Sequence, residues 1–225
     1  MDDADLSVYK DSWEAATIDE ARRKVLFRLK SRIFKRSFVN DFEESGKREA
    51  EVISKLVDRD AVVLDLGCGV GRVAKYLAPF VRELHGVDVS ENMVRYAKEN
   101  CRELGNVHIK VNNGKDLSLY SDGTFDFVYS FLVFQHLEKE DALTYITEVY
   151  RVLKNGGGAL LQFPDQSSSV YWICHIYNLI DKKPSKMRLY TRPEAESKLE
   201  GVGFKDIQDL RLTKNEINLL AKKCA

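Results

Sequence analysis

The stretch Val62-Val-Leu-Asp-Leu-Gly-Cys-Gly-Val-Gly71 limits what this chain can fold into more than any other. Val62, Val63 and Leu64 are the short apolar, β-branched run of a buried parallel strand, and Asp65 stands where that strand ends. Gly67, Gly69 and Gly71 alternate with Cys68 and Val70, a turn whose backbone can take positive φ and approach a ligand closely. Arg72 to Leu77 follow at helical spacing and place helix N-terminal amides beside the turn. The unit is strand, glycine turn, helix, which belongs to an open α/β sheet.

The spacing narrows the ligand. A dinucleotide fingerprint requires Gly-x-Gly-x-x-Gly with an acid about 20 residues on; here the pattern is Gly-x-Gly-x-Gly. The next apolar run, Leu84 to Val89, carries Asp88 near its end, 17 positions past Gly71. A carboxylate at the tip of a second strand can accept from both hydroxyls of a ribose, so a nucleoside-containing cofactor is implied.

Asp65-Leu-Gly-Cys-Gly-Val-Gly71, followed by Gly86-Val-Asp-Val-Ser-Glu-Asn-Met93, resembles the class I S-adenosylmethionine-dependent methyltransferases. Asn112-Asn-Gly-Lys-Asp-Leu117 and Phe125-Asp-Phe-Val-Tyr-Ser130 extend the likeness over roughly residues 50 to 163. The alternative is a Rossmann domain for a nicotinamide or flavin, against which the third glycine argues. The resemblance implies a Rossmann-like, doubly wound, mostly parallel sheet of seven strands with an antiparallel C-terminal strand, preceded by a helical N-terminal extension. It also implies S-adenosyl-L-methionine as cofactor, with Asp65, Gly67, Cys68, Gly69, Gly71, Asp88, Val89, Met93, Asn113, Gly114 and Ser130 as its contacts. In the family an acid after the third strand often accepts from the adenine amine. Asn113 stands at that position here; an amide oxygen can accept the same bond, and a simple turn at Asn112-Asn-Gly is the other account of it.

In a chain of 225 residues, 35 basic side chains balance 35 acidic ones. That argues against a chain-wide commitment to nucleic acid or anionic membrane. No signal peptide or apolar spanning segment is evident, so a soluble, cytoplasmic protein is expected. Cys68, Cys101, Cys174 and Cys224 are scattered without a Cys-x-x-Cys pair; no metal site and no disulfide framework is predicted.

Residues 1–48 are predicted as a helical extension or lid and 49–225 as the methyltransferase domain, with a lid-like insertion at about 165–190. Arg22 to Arg36 reads as a basic amphipathic helix, either an exposed support with a solvated face or a contact for an anionic substrate, RNA or membrane. Tyr9 and Trp13, one helical turn apart, suit a lid or core packing equally. Glu49 to Val57 should be a helix, Ser90 the cap of the helix through Met93, and Val107 to Val111 the third strand. The fourth strand is predicted over Phe125 to Val133. A helix over Glu140 to Leu153 should bury Leu143, Ile146, Val149, Tyr150 and Leu153 and end at Asn155-Gly-Gly-Gly158. Ala159 to Phe163, Lys205 to Leu212 and Glu216 to Ala221 complete the strands, and Thr191-Arg-Pro-Glu194 fits a capping box. Val170 to Ile180 is apolar and aromatic on nearly every face, and a substrate lid, a dimer contact or core packing would cover it.

A sulfonium methyl is already electrophilic, so catalysis needs placement of the nucleophile and at most one base. His136, just past the fourth strand, is the candidate base, with a structural role beside the next helix as the alternative. Gln135, Tyr9, Trp13, Tyr171, Trp172 and His175 are candidate substrate contacts. The fourth motif lacks an Asn/Asp-Pro-Pro-Tyr/Phe pattern, and Tyr129-Ser-Phe-Leu132 stands there. This favours a small-molecule acceptor, methylated on oxygen or nitrogen, in a monomer or homodimer without nucleic acid. The rivals are a non-catalytic or regulatory S-adenosylmethionine-binding protein and an RNA or protein methyltransferase using the basic helix.

Overall fold

The computed structural model describes residues 10–11, 13–20, 38–169 and 187–224. Tyr9, Tyr171, Trp172, His175, the basic stretch 22–36 and the aromatic run 170–180 lie outside them. The strands form a seven-stranded sheet in the order β3 (Val107–Val111), β2 (Glu83–Asp88), β1 (Val62–Leu66), β4 (Phe125–Ser130), β5 (Leu153–Pro164), β7 (Glu216–Lys222), β6 (Lys205–Asp209), and the chain divides into two compact units, meeting in sequence at Asn112 and Asn113.

The first unit holds α1 (Phe38–Ser54), β1 (Val62–Leu66), α2 (Ala74–Leu77), β2 (Glu83–Asp88), α3 (Glu91–Asn100) and β3 (Val107–Val111). Both strand pairs are parallel; Val62 faces Glu83 and Leu66 faces Val87, while Leu84 faces Val107 and Asp88 faces Val111. Every residue of β1 is buried, as its unbroken apolar run requires. Ser90 caps α3, accepting from the Met93 amide. The helix predicted from Glu49 instead begins at Phe38 and runs through Gly46. The glycine is there for contact: a Cβ on it would lie 2.4 Å from the carbonyl oxygen of Arg72. Regular helix after the glycine turn starts only at Ala74, and Pro79 turns its end into a single 3-10 turn over Ala78–Phe80.

The second unit holds β4 (Phe125–Ser130), a 3-10 turn (Phe134–His136), α4 (Lys139–Val152), β5 (Leu153–Pro164), α5 (Arg192–Val202), β6 (Lys205–Asp209) and β7 (Glu216–Lys222). β4 and β5 are parallel, and β7 runs antiparallel to both β5 and β6. β4 stops at Ser130 rather than Val133 because Leu132 takes a φ of 61° and turns the chain away. β5 begins six residues earlier than predicted and includes the glycines expected to stop the helix. They pair with the end of β7: the Gly156 amide donates to the Lys223 carbonyl and the Lys223 amide to the Gly157 carbonyl. On α4 the buried face is Ala142, Tyr145, Ile146, Val149 and Val152, and Leu143, predicted inside, is 41% exposed. Thr191 caps α5 through the Glu194 amide, as the capping box required. The neck of the 165–190 insertion is closed: Asp165 bridges Tyr190, whose amide donates to the Pro164 carbonyl and whose carbonyl accepts from Gln166.

Candidate active site

In the first unit the glycine turn is built by hydrogen bonds to β2. The amides of Gly67 and Cys68 both donate to the Val87 carbonyl, at 2.8 and 2.9 Å. One strand residue later the Asp88 carboxylate takes over: its Oδ2 accepts from the Gly69 amide at 2.9 Å and its Oδ1 from the Ser90 amide at 3.0 Å. Asp88 thus ties the tip of the turn to the N-terminus of α3. Burial pushes its carboxyl up to about 6, opposed by the amides of Ser90, Gly69 and Val89. The carboxylate keeps capacity for a further donor.

Gly69 has a φ of +52°, and a Cβ built on it meets no atom within 4 Å. Its backbone therefore borders open space, as a ligand cradle requires, and the left-handed φ excludes a β-branched side chain. Cys68 is buried, and its thiol is pushed well above the usual range by burial and then by Asp65 and Asp88, so it is no nucleophile. Asp65 and Met93 are buried and Val89 is half-buried.

Three residues that sequence reasoning did not single out fix this arrangement. Arg72, only 8% exposed, pairs with Glu49 at 2.5 Å and donates to Ser45 Oγ at 3.0 Å, fastening the turn to α1. Glu14 accepts from Ser90 Oγ at 2.7 Å. Asn92 Nδ2 donates to the carbonyls of Glu14 and Ala16, at 3.0 and 2.9 Å. These bonds hold the segment around residues 13–16 on the first turn of α3, and Trp13 packs there against a buried cluster of Ala16, Phe42, Val70 and Met93. Glu14 and Asn92 leave no sequence signal, since 78 residues separate them.

In the second unit, Asn113 Oδ1 accepts the amides of Lys115 and Asp116 at 2.8 and 3.1 Å, and its Nδ2 donates to Asp116. The side chain closes a local turn, with Gly114 at a φ of 80°. Ser130 is fully buried at the end of β4. Beyond it, the Leu132 amide donates to Gln162 Oε1 at 3.1 Å, and Gln162 Nε2 donates to Asn218 Oδ1 at 3.1 Å. A polar pair amid the apolar runs Ala159–Phe163 and Ile217–Ala221, in direct register on β5 and β7, is the signal that could have disclosed this support. A left-handed Leu costs about 1–2 kcal/mol and has to be held by its surroundings. Gln135, 1% exposed, donates through Nε2 to the Leu132 carbonyl at 2.7 Å and lies 3.2 Å from His136 Nε2. The contact sets the His136 ring beside the Leu132 turn.

Comparison with known proteins agrees with this geometry. The family described as "Methyltransferase domain" matches residues 63–157. The chain is 30% identical over 156 residues to the uncharacterized methyltransferase YcgJ of Bacillus subtilis, 67% of this chain and 60% of that protein. It is 34% identical over 105 residues to the demethylmenaquinone methyltransferase of Anoxybacillus flavithermus, 45% and 44% of the two chains. The chain therefore spans about half the length of these curated relatives. Among solved structures, the magnesium protoporphyrin IX methyltransferase of Synechocystis PCC 6803, with bound SAH, superposes with a TM-score of 0.71 over 97% of this chain and 99% of that one, at 19% identity. The motif order, the sheet order and these matches together support a class I S-adenosylmethionine-dependent methyltransferase.

Proposed function

We propose that the chain transfers the methyl group of S-adenosylmethionine to an oxygen or nitrogen of a small-molecule acceptor. The observation that carries this reading is Asp88, whose carboxylate is fixed by the Gly69 and Ser90 amides with acceptor capacity left for a ribose hydroxyl. The open space at Gly69 fits the same ligand. Asp65, Gly67, Cys68, Gly71, Val89 and Met93 would complete the cofactor contacts in that unit, with Asn113, Gly114 and Ser130 as the further candidates. Relatives named for small acceptors, such as the demethylmenaquinone enzyme, support the acceptor class.

Bound cofactor supplies a methyl group already activated by the sulfonium. The protein's own residues must then orient the acceptor, exclude water and remove a proton. His136 is the base of this scheme, beside Gln135 and positioned by the bond from Gln135 to the strained Leu132 turn. Residues 13–20 act as the described part of an N-terminal lid, held by Glu14 and Asn92.

Isothermal titration with S-adenosylmethionine, S-adenosylhomocysteine and NAD tests the cofactor; tight NAD binding without the sulfonium ligand would overturn the proposal. A methyl-transfer screen over quinols, phenols and amines tests the acceptor, and cofactor binding with no transfer to any of them would favour a regulatory protein. His136→Ala should lower kcat on a hydroxyl acceptor by about 100-fold or more while leaving cofactor affinity unchanged.

A further inference from the structure

At the opposite end of β2 from Asp88, three metal-ligating side chains meet on one face of the sheet. Glu83 and His85 are two residues apart on β2 and so point to the same side, and His85 faces His108 of β3 in register. The two imidazole rings lie 5.0 Å apart between centroids, tilted by 42°. Glu83 Oε2 is 3.3 Å from His85 Nε2. One donor atom from each of the three lies within 4.8 Å of the other two. A tetrahedral ion with bonds of about 2.0–2.2 Å sets its donors about 3.4 Å apart, so a small rotation of these side chains would close the site. His108 is exposed and can turn inward. Two imidazoles and one carboxylate suit borderline first-row ions rather than calcium or magnesium.

We propose that Glu83, His85 and His108 bind a divalent transition-metal ion of the zinc class, with water in the remaining position, and that the ion fastens edge strand β3 to β2. The strand needs such a fastening more than its neighbours. It ends the sheet order, and only Ile109 of its five residues is buried. The charge of Lys110, two residues beyond His108 on the same face, works against the ion. No motif in the sequence announces the site, because two ligands come from one strand and the third from its neighbour.

The test uses the full chain without a histidine tag and without cofactor, so its outcome is independent of methyl transfer. Zn2+ titrated by calorimetry should bind at one equivalent and raise the midpoint of thermal unfolding. His108→Ala and Glu83→Gln, changes at an exposed and a half-buried side chain, should each weaken binding by about tenfold or more and remove the thermal shift. Cu2+ bound in place of zinc should show coupling to two nitrogens in the electron paramagnetic resonance spectrum, and to one in His108→Ala. Absence of binding, or wild-type affinity and nitrogen coupling in both variants, would overturn the proposal by placing the ion on cysteines or other imidazoles.

Discussion

The carboxyl of Asp88 makes cofactor affinity depend on pH in a direction the structure decides. Burial raises it to about 6 from an ordinary 3.8, with Gly69, Ser90 and Val89 amides opposing that rise. Donors from ribose hydroxyls favour the ionised form, so the bound state must have a lower value than the free state. Affinity should then be flat above pH 7 and fall by close to tenfold per unit below pH 6, about 1.4 kcal/mol per unit. From pH 7.5 to pH 5 the loss should be about tenfold. Isothermal titration with S-adenosylhomocysteine across that range measures it, and Asp88→Asn supplies the control for protons lost or gained by the ligand. The variant should bind weakly at every pH, with the Asp88-dependent slope gone. Asp88→Ala should cost about 2–4 kcal/mol at neutral pH, the loss of two charge-assisted bonds with imperfect additivity. Folding stability should move the other way: a carboxyl whose folded value is raised is most favourable to the native state below pH 4 and loses that contribution as pH rises through 6, up to about 3 kcal/mol. A wild-type affinity that stays constant from pH 5 to 7.5 would refute the assignment of Asp88 as the ribose ligand.

Three further perturbations test how the site is built. Gly69→Val should cost about 1–2 kcal/mol of stability in chemical denaturation through its φ of +52°, with no steric clash in the free protein, and should abolish cofactor binding by filling the cradle. Arg72→Met removes the ion pair to Glu49 and the bond to Ser45 Oγ, so denaturation should show a loss of about 3–5 kcal/mol, partly recovered in the double variant with Glu49→Gln. Asn92→Ala removes two bonds to the carbonyls of Glu14 and Ala16; amide exchange over residues 13–20 should quicken and cofactor affinity fall by several-fold, while unchanged exchange would show that Trp13 packing and the Ser90–Glu14 bond hold the segment without it.

Much of the frame was legible because it rests on local rules. The apolar run of β1, the alternating glycines and an acid at the end of β2 specify a strand, a turn and the next strand's end from residues close in sequence. Ser90 and Thr191 announced their helices because a cap bonds within three residues. Element ends were misjudged where distant chain intervened. Gly46 stays inside α1 because Arg72 packs against it, and Gly156 and Gly157 join β5 because Lys223 offers them partners. Leu143 looked like core on periodicity, but α4 turns a neighbouring stripe inward.

Fold class and family likeness are written in short motifs whose spacing is set by backbone geometry, and a sequence alone suffices to read them. Only the tertiary structure decided what supports them. Glu14 meets Ser90, Arg72 meets Glu49, Gln162 holds the Leu132 turn, and His108 comes beside His85 across two strands. Hydrogen bonds, ion pairs and metal geometry act between atoms a few ångströms apart in space, and a one-dimensional pattern has no record of which distant segments the folded sheet brings together.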